Sequence, residues 1–224
     1  MLMLVFHLEI LLDHHALGET MPAALASVMA AHHGQDAGAW QDAYLKIVAD
    51  WDSYWADLSL DGQDSLAQWR EGRWRIIRAL FRLMHMPEPP LDAIPLYLDE
   101  IPYEIGQRCE GWKPRSVEAL KELARQGFGL SILAAYQPAA LIRGLLDQDQ
   151  LGEPVCRAFG PDEIGQFGLE GISWDYIAGM TGSDPSCCVY IGAEAPWGAR
   201  VVKPPADLSS LPRLLREKGW LTDD

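Results

Sequence analysis

His7 and Glu9 stand two residues apart at the polar tip of an apolar run, and both are types that carry group-transfer and proton chemistry. An imidazole can attack phosphorus and become phosphohistidine, and a nearby carboxyl can serve as acid and base. The plainer alternative is that His7 and Glu9 bond to each other at a sheet edge and satisfy one another. A second candidate is the turn Ala135-Tyr136-Gln137 into Pro138, where a helix should open with free amides facing the same crevice, a weak anion site. A third is the basic concentration Arg70, Arg73, Arg75, Arg78 and Arg82. It is either a cationic wall above the crevice or a solvated helix face pairing with Asp and Glu of neighbouring helices. The doublets His14-His15 and His32-His33 could bind a transition metal, but adjacent helical residues point about 100° apart, which favours solvated surface positions.

These residues need elements to position them. The first run, residues 1–6, reads as a buried strand, because parallel strands covered on both faces are near-continuous in apolar residues. Helical patterns follow over residues 22–33, 38–58, 65–86 and 91–108, the last bent at Pro102. In the second, Ile47, Trp51, Trp55 and Leu58 share a side; in the third, Trp74, Ile77, Phe81 and Met84 point inward, with Arg75, Arg78 and Arg82 elsewhere. The tryptophans Trp40, Trp51, Trp55, Trp69 and Trp74 concentrate here and read as core, or as a docking surface where exposed. Beyond Trp112, helices and strands alternate: helix 116–126 closed by Gly127, strand 128–135, a helix opening at Pro138, strand 155–159, helix 173–181, strands 187–191 and 199–202, and helix 208–218. One strand, a helical insertion and then alternation make a doubly wound, mostly parallel, Rossmann-like α/β sheet with the first strand central. Residues 1–13 and 112–224 form the core on this reading, and residues 14–111 an inserted helical cap.

The segments 6–13, 112–127, 130–138 and 189–197 together resemble the haloacid dehalogenase superfamily of hydrolases with a helical cap, over essentially the whole chain. The resemblance implies a nucleophilic Asp where this chain has His7, and an acid/base Asp where it has Glu9. It implies a Ser or Thr and an adjoining Asn where Ala134 and Ala135 stand, and a Lys at Gly168, with no Lys between Lys121 and Lys203. It also implies magnesium held by carboxylates where Ala193 and either Trp197 or Gly198 stand, leaving Glu194 one position off. The scaffold pattern persists and the chemical groups do not. The expectation is a non-catalytic pseudo-hydrolase without magnesium, binding an unidentified small molecule or protein through His7, Glu9, Ala135, Tyr136 and Glu194. Two alternatives stay open: an active hydrolase of phosphatase or dehalogenase type using His7 and Glu9, and an interaction protein acting through its cap.

Composition narrows the partners. A formal net charge of -14 disfavours nucleic acid and anionic membranes, while a second copy of the chain stays open as a partner. Residues 1–12 lack the basic start and cleavage site of a targeting segment, and no run is long enough to span a bilayer. Cys109, Cys156, Cys187 and Cys188 form no C-x-x-C pair and read as reduced core thiols of a cytoplasmic protein.

Overall fold

A computed structural model of the chain describes residues 1–61, 64–193, 195–205 and 207–220. The first apolar run forms β1 (Met3–His7), buried along its whole length. Next come helices α1 (His14–His33), α2 (Ala37–Ala49), α3 (Ser65–Leu83) and α4 (Ile101–Gly106), all before the chain returns to the sheet. The way out and the way back lie side by side: Leu12 bridges Trp112, the Asp13 N–H donates to Gly111 O at 2.7 Å, and the Lys113 N–H donates to Leu11 O at 2.8 Å. A long excursion thus begins and ends at one place, which leaves the strand that precedes it undisturbed.

The return builds α5 (Ser116–Arg125), β2 (Gly129–Leu133), α6 (Ala139–Gln148), β3 (Val155–Phe159), α7 (Pro161–Ile164), α8 (Trp174–Thr181), β4 (Cys188–Ile191), β5 (Val201–Val202) and α9 (Leu211–Glu217). Among the described residues the sheet runs β3-β2-β1-β4-β5 with every pairing parallel. Alternation along the strands sends Leu4, Phe6, Leu130 and Ile132 into one core, and Met3, Val5, Leu133 and Tyr190 into another. Leu120 of α5, Ile142 of α6 and Leu215 of α9 pack into the first, and Trp174 and Ile177 of α8 into the second. Both faces are covered, which is why β1 can be apolar throughout. The α/β sheet with β1 central is therefore as the sequence pattern implies.

Several boundaries differ from the sequence expectation, each for a local reason. Helix α1 starts at His14 and carries Pro22 inside it, because the Asp13 carboxylate accepts from the amides of His15 and Ala16 and caps the helix a full two turns earlier. Helix α2 stops at Ala49 instead of running to residue 58; Ser53 Oγ binds both the carbonyl and the carboxylate of Asp50, a side-chain alternative to helical bonding. The fourth helical stretch is broken into a 3-10 turn at Leu91–Ala93, a π-type turn at Leu96–Glu100 and the short α4. Among the cysteines, Cys109 and Cys188 are buried, but Cys156 and Cys187 are exposed, so the four are not uniformly core thiols. His33 is likewise no solvated residue: it stacks on Tyr97 and meets the edge of Phe81, with ring centroids 5.8 and 5.1 Å apart.

The insertion is seated on the sheet layer through α4 and α6. A Cβ on Gly106 would lie 2.2 Å from Leu141 O, and one on Gly144 would lie 2.1 Å from Tyr103 O. Two glycines at the crossing let the backbones meet closer than any side chain permits, which fixes where the insertion stands over the end of β2.

Candidate functional site

The strand register decides which expected residues meet. His7 ends β1 opposite Leu133 of β2, and Ala134 and Ala135 continue from Leu133 at the carboxyl edge of the sheet. Gly168 reaches the same edge, its N–H donating to Ala135 O at 2.9 Å. His7, Ala134, Ala135, Tyr136 and Gly168 are thus gathered along one edge, where open α/β sheets bind ligands. Glu194 lies outside the described residues.

Glu9 does not join them. After His7 the chain enters a 3-10 turn, Leu8–Ile10, and Glu9 turns towards the start of α1, where its carboxylate bonds His14 Nε2. Lys113 Nζ donates to the Glu9 carbonyl at 2.7 Å. The expected hydrogen-bonded pair of His7 and Glu9 is therefore corrected to a pair of Glu9 and His14. His7 itself is 4% exposed, with its ring 6.2 Å from that of Tyr190. Ala134 and Ala135 are buried methyl-bearing residues, the Ala134 N–H being taken by Phe159 O at 2.8 Å. Gly168 holds φ at +81°, a conformation in which a side chain is strained.

The amide end of α6 is also not the open anion site the sequence suggests. Pro138 has no N–H, and the Ala139 N–H is already bonded to Asp162 Oδ1 at 3.1 Å. A carboxylate of the chain holds the place of an external anion.

Of the basic cluster, Arg75 pairs with Asp57 at 2.6 Å and with Glu71 at 3.0 Å, Arg78 with Glu88 at 2.5 Å, and Arg82 with Glu88 at 3.6 Å. These three form the solvated, self-paired face. Arg73 behaves differently: it comes four residues after Trp69 and four before Ile77, both buried, so it falls on the inner stripe of α3. That helical spacing was the sequence signal by which Arg73 could have been separated from its neighbours. Its Nη2 donates to Leu98 O at 2.8 Å, and the guanidinium lies 4.7 Å from the centre of the Trp69 ring. Burial pulls its pKa down to about 10; Asp162 and Asp99 oppose this and Arg70 adds to it, so it stays charged at neutral pH.

Arg73 borders a cavity of about 450 Å³ between the insertion and the end of β2, walled by Trp51, Trp55, Trp69, Tyr136 and Phe167. An adjoining space of about 140 Å³ shares Met21, Trp51, Arg73, Gln137 and Pro138 with it. Tyr136 and Phe167 meet edge to face at 5.2 Å, and the Phe167 N–H donates to the buried Ser65 Oγ of α3 at 3.2 Å, tying the loop to the insertion. His7, Glu9 and Ala135 line neither space. Of the expected ligand-binding residues, Tyr136 is the one that borders the larger cavity.

The magnesium implied by the resemblance would need carboxylates at the sheet edge. Glu9 spends its carboxylate on His14, and Ala193 has none to give. No group of three His, Cys, Asp or Glu side chains among the described residues is arranged to hold a metal ion. The residues described at this edge do not fit the ion. No helix of the described residues is long and apolar enough to cross a membrane.

No family model matches the chain, and no curated protein matches it. Solved structures do. The similarity is to haloacid dehalogenases and related hydrolases. An L-2-haloacid dehalogenase from Xanthobacter autotrophicus shares 14% identity over 95% of this chain and 97% of its own, with a TM-score of 0.43. A HAD family hydrolase from Deinococcus radiodurans R1 shares 17% over 99% and 98%, with a TM-score of 0.43. A HAD-hydrolase from Bacillus subtilis shares 13% over 97% and 98%, with a TM-score of 0.46.

Proposed function

We propose that this chain is a haloacid dehalogenase-like protein without hydrolytic chemistry, which binds a small molecule between a helical cap, residues 14–111, and an α/β core. The observation that carries this reading is the make-up of the edge where His7, Ala134, Ala135 and Gly168 meet. Phosphoryl transfer depends on positioned charge, a metal and a cation assisting a nucleophile. Here two positions end in methyl groups, and one is a glycine at positive φ where a lysine side chain would be strained. Glu9, the acid/base that an active His7 would need, is engaged by His14. The same region does offer a largely apolar cleft, which suits binding.

The test is a panel of phosphatase and dehalogenase substrates, with and without added magnesium, on wild type, His7→Ala and the closer-sized His7→Gln. Equal background in all of them is expected. Turnover that disappears in a folded His7 variant overturns the reading and makes His7 a nucleophile.

A further inference from the structure

We propose that the cavity bordered by Arg73 is a binding site for a monoanionic aromatic carboxylate, its ring held by the tryptophans and its carboxylate by the Arg73 guanidinium. This rests on the reading of the chain as a binding protein and names the chemistry of what it takes.

A guanidinium has five N–H donors, and the one hydrogen bond Arg73 makes to the described residues is to Leu98 O. No Asp or Glu oxygen of the described residues comes within 4.0 Å of it or of Arg70, whereas Arg75, Arg78 and Arg82 of the same helix each have such a partner. Asp162 and Asp99 offset part of the Arg73 charge from beyond hydrogen-bond reach, and its remaining N–H donors have no partner among the described residues. A planar fork with unused donors is also the group best matched to a carboxylate, which it can bind through two parallel bonds.

The walls specify the rest of the molecule. Trp51, Trp55, Trp69, Tyr136 and Phe167 line the space, and about 450 Å³ lies within the range of about 300–1,000 Å³ common for small-molecule sites. Charge counting separates a carboxylate from a phosphate: Arg73 is the cationic residue on this wall, while Asp52 also borders the space and Asp162 and Asp99 act on Arg73 from nearby. Each further negative charge on a ligand meets added repulsion from these acids, which favours a single charge over a double one.

The test uses the full chain and reads tryptophan fluorescence and titration calorimetry with indole-3-acetate, its uncharged amide, and inorganic phosphate. Indole-3-acetate is expected to bind at least ten times more tightly than the amide, with phosphate failing to compete. In Arg73→Met the acid should fall to the level of the amide. Arg73→Lys keeps the charge without the fork and should retain part of the preference. Equal binding of acid and amide, no binding of either, or unchanged acid binding in Arg73→Met overturns the proposal. Those results leave the absence of turnover untouched, whereas His7-dependent turnover would overturn the non-catalytic reading without moving the Arg73 result.

Discussion

Replacing Gly106 by Ala should unseat the helical insertion by a measurable amount. The added Cβ would lie 2.2 Å from Leu141 O, 3.0 Å from Leu145 N and 3.1 Å from the Gly144 Cα, where ordinary contact begins near 3.4 Å. All three obstacles are backbone atoms, so no side chain can swing away, and α4 must move off α6 by about 1 Å, losing packing along the crossing. Overpacking of this kind costs about 1–3 kcal/mol, and rigid backbone places it near the upper end. Alanine in a helix returns about 1 kcal/mol relative to glycine. The net is a loss of about 2 kcal/mol, or about 4–8 °C in melting temperature for a chain of this size. Gly18 in α1 is the control: a Cβ there meets nothing within 4 Å, so Gly18→Ala should keep the helical gain of about 0.5–1 kcal/mol and melt slightly higher. Differential scanning calorimetry on the two variants decides. A Gly106→Ala protein as stable as Gly18→Ala would refute the close crossing and with it the seating of the insertion over the end of β2.

Two further outcomes follow from burial. Desolvation, helped by the neighbouring His32, lowers the His33 pKa below the usual 6.5, so the folded protein favours the neutral ring while the unfolded chain takes up the proton first. Its contribution to stability is present above pH 6.5 and is lost as pH falls through the lowered value; the melting temperature of His33→Phe should therefore decline less than that of wild type between about pH 7 and pH 5. Thiol labelling of the native protein should modify Cys156 and Cys187 rapidly, while Cys109, whose pKa burial pushes up to about 11, and Cys188 should react only after unfolding. Fast labelling of all four would contradict the packing around Cys109 and Cys188.

The order of elements and the buried character of β1 were legible in the residues themselves, because hydrophobic period and turn chemistry are local properties. The same holds for Gly127 ending α5, for Ser173 capping α8, and for the absence of hydroxyl, amide and lysine side chains at Ala134, Ala135 and Gly168. Local pattern could not say where α2 stops, since Asp50 and Ser53 compete with the helix for the same backbone groups. Nor could it say which way Glu9 turns: a residue two beyond a strand end faces the crevice or leaves it according to the turn that follows, and here a 3-10 turn hands it to His14.

Arg73 shows the division most clearly. Sequence placed it among five arginines of one helix, read together as a cationic wall or a solvated face, and the structure separated it onto the inner stripe with Trp69 and Ile77. Only the packed chain decided that residues from α1, α2, the Trp51–Tyr54 turn, β2's end and the Phe167 loop would gather around that stripe, leaving a charge half-buried beside aromatic residues. Composition and periodicity fix what each segment can bury against something; the identity of that something is set by contacts between residues far apart in the chain, which no local pattern encodes.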